Sequence, residues 1–522
     1  MATLLRVGRL SSGDMDWDPR PSQDPSPARE TVATDGTVVD PGEEVVHGER
    51  VGRHIRRRWY ATPFVAIAAV TALAGGLRFY HLSAPQTFVF DEVYYAKDGC
   101  FDAGYPYKEC KLDSPNEQTV TVHPPLGRWI IAGGEKAFGN RPFGWRFASA
   151  TAGTISVALA ALLAFRLFGS VVWAAVAGLL LATENLNFVQ SRISMFDIFL
   201  ATFVLAGFLF LTLDRQWMER RTPDPSMMPD EGPEAALLDL PPDRPPSPIL
   251  RPWRLAAGLA FGAAVSTKWS ALPALAGAIL LTLVWERGRR KRFHFSHPWR
   301  EALRDESFGV FWFMVVLPVV IYLVSYTSWF VDHGFDPGGW WRLQQGMASY
   351  SIHLRATHPY SSRPWTWLVM SRPVAYFYEC AKTTNPCKPA EILGMGNPVI
   401  FWGSLLTVPY MAVTGFRRRD WRAALIVVAF ASQYFAWFLA ARTSFLFYMT
   451  PLTPFMVLGW VYLLKDVSDA RIGDEGRGVM APIAGFIVFA SVALFVFFLP
   501  ILTGRGISMS AWHARIWFRS WV

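Results

Sequence analysis

Charge is scarce in this chain. Only 17% of its 522 residues are Asp, Glu, Lys or Arg, against 52% hydrophobic and 15% aromatic, too few charges for a water-soluble protein of this size. A string of soluble domains is excluded, because apolar runs of about 20 residues, long enough to cross a bilayer as helices, recur along most of the sequence. Cysteine is rarer still, with four in all. The net charge of +9 is spread over loop ends, which argues against nucleic acid as a partner. No repeat relates the two halves, as it often does in transporters. No short apolar core with a small-residue cleavage site follows the start, so the expectation is an uncleaved chain anchored by its first span.

What is present is an all-α integral membrane protein. Residues 1–58 are rich in Pro, Asp, Gly, Ser and Thr and have too little apolar surface to offset the entropy of folding, so a disordered cytoplasmic tail is expected. About eleven transmembrane helices follow, near 60–80, 146–168, 171–187, 194–213, 253–267, 269–285, 307–327, 395–415, 421–441, 444–464 and 480–502. Lys and Arg near span ends stay cytoplasmic, and RHIRRR before the first span sets the N-terminus inside. Every second loop then carries Lys or Arg: DRQWMERR, ERGRRKR, FRRRDWR and KDVSDAR, each read as a solvated loop end. Residues 214–252, with PPDRPPSP, read as a flexible cytoplasmic loop. The expected division is the tail 1–58, an N-terminal membrane module 59–327 with an external loop at 81–145, an external loop 328–394, C-terminal helices 395–502 and an external tail 503–522. Short amphipathic helices are expected in the large external loops.

All four cysteines fall in the external loops, as the local pairs Cys100 with Cys110 and Cys380 with Cys387. Disulfides form outside the cytosol, and these pairs are natural bridges that stiffen short loops. A zinc site is the alternative, though no paired histidine accompanies them.

Chemistry concentrates on the same side. FVFDEVYYAKD sets Asp91 and Glu92 side by side beyond the first span. Carboxylates at such a depth are usually paired or functional, although acids at a helix start also favour its dipole. VHPPLGRWII holds His123 at a rigid turn. In QSRISMFDIFL, Arg192 lies at the mouth of the fourth span and Asp197 inside it. Arg192 either snorkels to lipid head groups or captures a phosphate in a bidentate grip, and Asp197 needs a cationic partner. VSTKWSALP places Lys268 at the same height. Glu184 and Asn185 either orient these cations or pack as satisfied polar groups. The loop SYSIHLRATHPYSSRPWTW gathers His353, His358 and Tyr360, suited to stacking on sugar or peptide or to capping the bundle. Two acids and two cations at one depth suit an anionic lipid head group.

FDEVYYAKD, HPPLGRW, SRISMFDIFL, STKWSAL and HPYSSRPWTW together resemble the protein O-mannosyltransferases, membrane enzymes of the GT-C glycosyltransferase fold (family GT39). The resemblance runs from about residue 60 to the C-terminus. It implies a polyprenyl-phosphate mannose donor, a Ser or Thr acceptor on a secreted protein and an extracytoplasmic active site, with Asp91 as catalytic base and Arg192 on the donor phosphate. Eukaryotic members carry a β-trefoil insert in the loop equivalent to 328–394. This loop has no room for one, which points to a bacterial, actinobacterial or mycobacterial, member.

The chemistry follows from the leaving group. An alcohol attacks well only as its proton leaves, and a carboxylate can accept that proton. A lipid phosphate departs more readily towards fixed cations, here Arg192 and Lys268. Base and cations on opposite faces of the anomeric carbon imply inversion. Glu92, the second of the catalytic acids, is expected to orient the acceptor or hydrogen-bond its loop. No cofactor is required, and a divalent metal is not favoured, because adjacent side chains rarely converge on one ion. Expected partners are the lipid-linked donor, secreted acceptor proteins, membrane lipid and the Sec translocon, in a plasma-membrane setting. Competing readings are a GT-C transferase acting on a lipid or cell-wall glycan, and a transporter or lipid flippase.

Overall fold

Prolines and polar caps set where the helices begin. The computed structural model describes residues 62–114, 122–222, 248–380, 387–469 and 480–522. The expected tail 1–58 and residues 223–247 of the expected cytoplasmic loop lie outside these. In chain order come α1 (Thr62–Phe79), α2 (Glu92–Asp102), α3 (Leu126–Phe138), α4 (Pro142–Phe168), α5 (Val171–Ala182), α6 (Asn185–Gln190), α7 (Phe196–Glu219), α8 (Pro252–Thr267), α9 (Leu272–Arg292) and α10 (Pro298–Val324). Then follow α11 (Thr327–His333), α12 (Pro337–His353), strands β1 (Val374–Cys380) and β2 (Pro389–Gly394), α13 (Pro398–Arg418), α14 (Trp421–Ala436), α15 (Thr453–Asp469), α16 (Met480–Leu502) and α17 (Met509–His513). Pro begins α4, α8, α10, α12 and α13, where its missing N–H costs nothing. Ser170, Asn397 and Asp420 cap α5, α13 and α14 by accepting backbone N–H bonds.

Among the described residues, nine helices are long and apolar enough to cross a membrane. The expected spans at 171–187 and 253–267 are shorter pieces. α5 has 12 residues and α8 has 16, about 18 and 24 Å of helix at 1.5 Å per residue, against a hydrocarbon core of about 30 Å. Glu184 ends the first by capping α6, and Lys268, in extended conformation, ends the second. α7 and the segment Leu446–Asp469 form the centre: 83% and 94% of their apolar windows are buried, against 17% for α1 and 28% for the last span. The outer helices therefore present their apolar faces to lipid.

The loop 328–394 holds a feature the sequence reading did not foresee. β1 and β2 pair antiparallel with an irregularity at Ala375/Phe377, where amphipathic helices alone were expected. The run VAYFYEC is aromatic and β-prone, and its end is tied to β2 by the Cys380–Cys387 disulfide. The C-terminal tail runs alongside, Gly504 N donating to Glu391 O at 3.0 Å and Ile507 N to Pro389 O at 3.1 Å. Cys100 and Cys110 are likewise joined, between α2 and the turn after it.

The basic run ERGRRKR is not wholly solvated. Arg289 and Arg290 are buried with Arg251 and Arg254 among Asp214, Glu286 and Glu306, with contacts such as Arg251 to Asp214 at 2.6 Å and Arg254 to Glu306 at 2.7 Å. Low-dielectric surroundings demand such pairing.

Candidate active site

Asp91 comes first. The chain enters α2 through Phe90, held in the left-handed region at φ 51°, a conformation unusual for an aromatic residue. Three rings hold Phe90 there: Tyr376 at 5.1 Å, Phe447 at 5.9 Å and His358 at 6.2 Å between centroids. Asp91 occupies the position before α2, yet its side chain caps no backbone N–H. Its carboxylate is thus not spent on the helix start. It stays partly accessible and meets the Tyr95 hydroxyl, one helical turn on, with Lys268 and Asp197 beside it. Burial pushes its pKa up to about 6, with Lys268 and Tyr95 pulling the other way.

Lys268 Nζ grips both oxygens of Asp197, at 2.8 and 3.0 Å, and stands 4.7 Å from the Tyr448 ring centre. One wall is built by the turn VHPPLG. Gly127 lies so close to Phe196 that a Cβ there would meet the ring at 2.7 Å, which only glycine permits. Phe196 stacks on Tyr95 at 3.9 Å, and His123 faces both, at 5.9 and 6.3 Å. Burial, then Lys268 and Arg442, hold the His123 pKa well below its usual value, so the ring is neutral. The opposite wall is Tyr376, to which Gln190 Nε2 donates at 2.5 Å.

Glu92 points elsewhere. It is fully buried, and each carboxylate oxygen accepts two bonds: Arg146 Nε and Ser194 N on one, at 2.8 and 3.0 Å, Arg146 Nη2 and Val89 N on the other, at 2.8 and 2.9 Å. Arg146 in turn donates to the carbonyls of Leu82, Pro85 and Thr87. The pair therefore clasps the loop carrying Asp91 to α4 and to the turn before α7.

Of the residues singled out from sequence, the fold gathers Asp91, Asp197, Lys268, His123 and His358. Arg192 is not among them: its guanidinium donates to the carbonyls of Leu77, Arg78, Tyr80 and His81, at 2.7–3.2 Å, closing the C-terminal end of α1. Glu184 caps α6 through Leu186 N and Asn187 N and accepts from Asn397 N at 2.9 Å, while Asn185 donates to Gly396 O at 3.4 Å. Both join helices away from Asp91. His353 sits exposed at the end of α12, bonded to Ser349 O, and Tyr360 lies under Arg372 at 5.6 Å.

Sequence reasoning missed Tyr95, Tyr376, Tyr448 and Arg442. Arg442 Nη2 reaches the Tyr448 hydroxyl at 3.3 Å, its charge is felt at His123, and no carboxylate among the described residues pairs with it. Two signals were available: Tyr95 is four residues after Asp91, one helical turn, and Arg442 breaks the inside-positive bias by lying at the outer end of a span. Among the described residues, no group of three or more His, Cys, Asp or Glu is placed to hold a metal.

The chain is 32% identical to a polyprenol-phosphate-mannose-protein mannosyltransferase of Mycolicibacterium smegmatis (strain MKD8), over 87% of its own length and 92% of that protein's. It belongs to the protein O-mannosyltransferase family. The namesake of Mycobacterium tuberculosis (strain ATCC 25618 / H37Rv) is 30% identical over 93% of this chain and 96% of its own. Two family models agree: dolichyl-phosphate-mannose-protein mannosyltransferase at residues 116–223, and the C-terminal four-span region of protein O-mannosyltransferase at 338–521. The chain also resembles a subunit in the structure of the Saccharomyces cerevisiae protein O-mannosyltransferase Pmt1-Pmt2 complex bound to the sugar donor, with TM-score 0.67 and 14% identity over 88% of this chain and 92% of that one. That likeness shows the GT-C fold. Members of the protein O-mannosyltransferase family are glycosyltransferases, and this one is a multi-pass membrane protein.

Proposed function

We propose that this enzyme moves mannose from polyprenyl-phosphate mannose to Ser or Thr hydroxyls of secreted proteins, with Asp91 as general base. The observation that supports the reading best is the unspent Asp91 carboxylate, partly accessible and set between Tyr95 and the Lys268–Asp197 pair. A pKa of about 6 leaves it ionised near neutrality and still basic enough to take a proton as the C–O bond forms. Arg442, with no carboxylate partner among the described residues, is the cation best able to meet the departing phosphate, because the charge of Lys268 is largely matched by Asp197. Arg192, committed to four carbonyls, secures α1 instead. Attack and departure on opposite faces of the anomeric carbon invert it, turning a β-linked donor into an α-mannoside.

No metal is assigned to this chemistry. All four bonds to Glu92 are made within the protein, so it cannot share an ion with Asp91. Lys and Arg at alternate loops support an N-terminus in the cytoplasm and a site on the outer face of the plasma membrane, where acceptors leave the Sec translocon. Purified protein given radiolabelled prenyl-phosphate mannose, a Ser/Thr/Pro-rich peptide and a lipid extract tests the acceptor class. Label in the peptide is the expected result; label confined to lipid would overturn it.

A further inference from the structure

The far end of the bundle holds a second built site. From Asp197 to Arg215, α7 advances about 27 Å at 1.5 Å per residue, which places Arg215 at the opposite membrane face. There a groove of about 1290 Å³ opens between α9, α13 and α14. Its walls are apolar, with Val284, Met411, Ala412, Val427 and Val428. Trp285 and Trp421 also line it, and the Arg215 guanidinium sits over both rings, 5.2 and 4.7 Å from their centres.

Cations line both lips. Arg287 and Lys291 stand on α9, Arg417 and Arg419 at the end of α13. Two further arginines of the lining are closely paired, Arg289 with Glu286 at 2.6 Å and Arg292 with Glu219 at 2.6 Å. Among the described residues, none of Arg215, Arg287, Lys291, Arg417 and Arg419 has such a partner. Asp420, the one carboxylate in the lining, is already held by Arg422 at 2.9 Å. Arg419 also follows α13 in the left-handed conformation, φ 52°, at a position where glycine is the usual residue. A cation is kept there at the expense of backbone strain.

We propose that this groove binds an anionic phospholipid whose head group bears two phosphates, of the diphosphatidylglycerol type. Cationic lips on two sides suit two phosphates, the apolar walls suit acyl chains, and the tryptophans lie where aromatic side chains favour the interface. The site is separate from Asp91 and independent of the transfer reaction.

Native mass spectrometry of the full-length protein in neutral detergent tests it, with diphosphatidylglycerol, phosphatidylglycerol and phosphatidylcholine offered in turn. The expected result is one tightly held diphosphatidylglycerol, retained about tenfold or more over phosphatidylcholine. The triple variant Lys291→Gln, Arg417→Gln, Arg419→Gln, which breaks no contact within the described protein, should lose that preference while its lipid-free unfolding midpoint stays put. Equal retention of all three lipids, or a preference the triple variant keeps, would overturn the proposal. So would a wild-type protein that takes up no lipid until residues 223–247, with six acidic side chains, are deleted, since that segment would then be the occupant.

Discussion

Replacing Glu92 by Gln separates a residue that holds the site from one that reacts in it. Both Glu92 and Arg146 are fully buried, joined by two contacts of 2.8 Å. Gln keeps the shape but offers one acceptor oxygen, so two of the four donors aimed at this carboxylate would face an NH₂ group. Arg146 would also lose its counter-charge, keeping only the carbonyls of Leu82, Pro85 and Thr87. Uncompensating a buried charge in this way costs about 3–5 kcal/mol. In a chain of this size that lowers the unfolding midpoint by on the order of 5–10 °C. Differential scanning fluorimetry of the purified protein in detergent should show the fall, accompanied by loss of transfer. Converting both residues, Glu92→Met with Arg146→Met, should recover part of the stability, incompletely because three carbonyls lose their donor. A Glu92→Gln protein with the wild-type midpoint and no transfer would refute this reasoning and place Glu92 in the reaction itself.

The base must be ionised, so kcat/KM should rise with pH through about 6 and level off above it. Tyr95→Phe removes a hydrogen bond that pulls the Asp91 pKa down, and should move that rise to higher pH; a profile that stays in place counts against the pairing. Glu135 is fully buried, and its pKa is pushed up to about 9 by burial, with Asp102 and Glu92 adding to the effect. The folded protein thus keeps a proton that the unfolded chain releases near 4.5, so stability is fullest below that pH and drains away as pH climbs to about 9. Glu135→Gln should flatten the dependence of the unfolding midpoint on pH, and an unchanged slope would contradict it. Arg442→Gln should cut transfer about 10–100-fold with little change in midpoint, whereas Arg192→Gln should lower the midpoint, four carbonyls having lost their donor; the reverse pattern would return the phosphate to Arg192.

Much of the fold was legible because apolar runs and basic loops obey strong rules. The nine long helices match nine of the eleven expected spans; α8 ends at Thr267 as expected, whereas α5 stops short of the expected 187 because Glu184 caps α6, which a hydropathy reading passes over as a single polar residue. Carboxylates next to each other in sequence were legible as candidates but not as opposites. On the first turn of a helix, adjacent side chains point about 100° apart, so Asp91 faces the site and Glu92 the interior. Arg192 illustrates the same limit: an arginine at a span mouth suits a phosphate or a helix end equally well, and only the position of α1 decides. The hairpin and Arg442 depend on contacts between segments far apart in sequence, Tyr376 with Gln190 and Arg442 with the surroundings of His123. No local pattern reports those.

The central claim is that one carboxylate accepts the acceptor's proton. Purified Asp91→Asn, assayed with synthetic prenyl-phosphate mannose and a Ser/Thr/Pro-rich peptide, tests it most directly. With no cap and no close ion pair at stake, the variant should melt within about 1 °C of wild type, bind the donor and transfer mannose about a hundredfold or more slowly. Turnover at the wild-type rate would contradict the account.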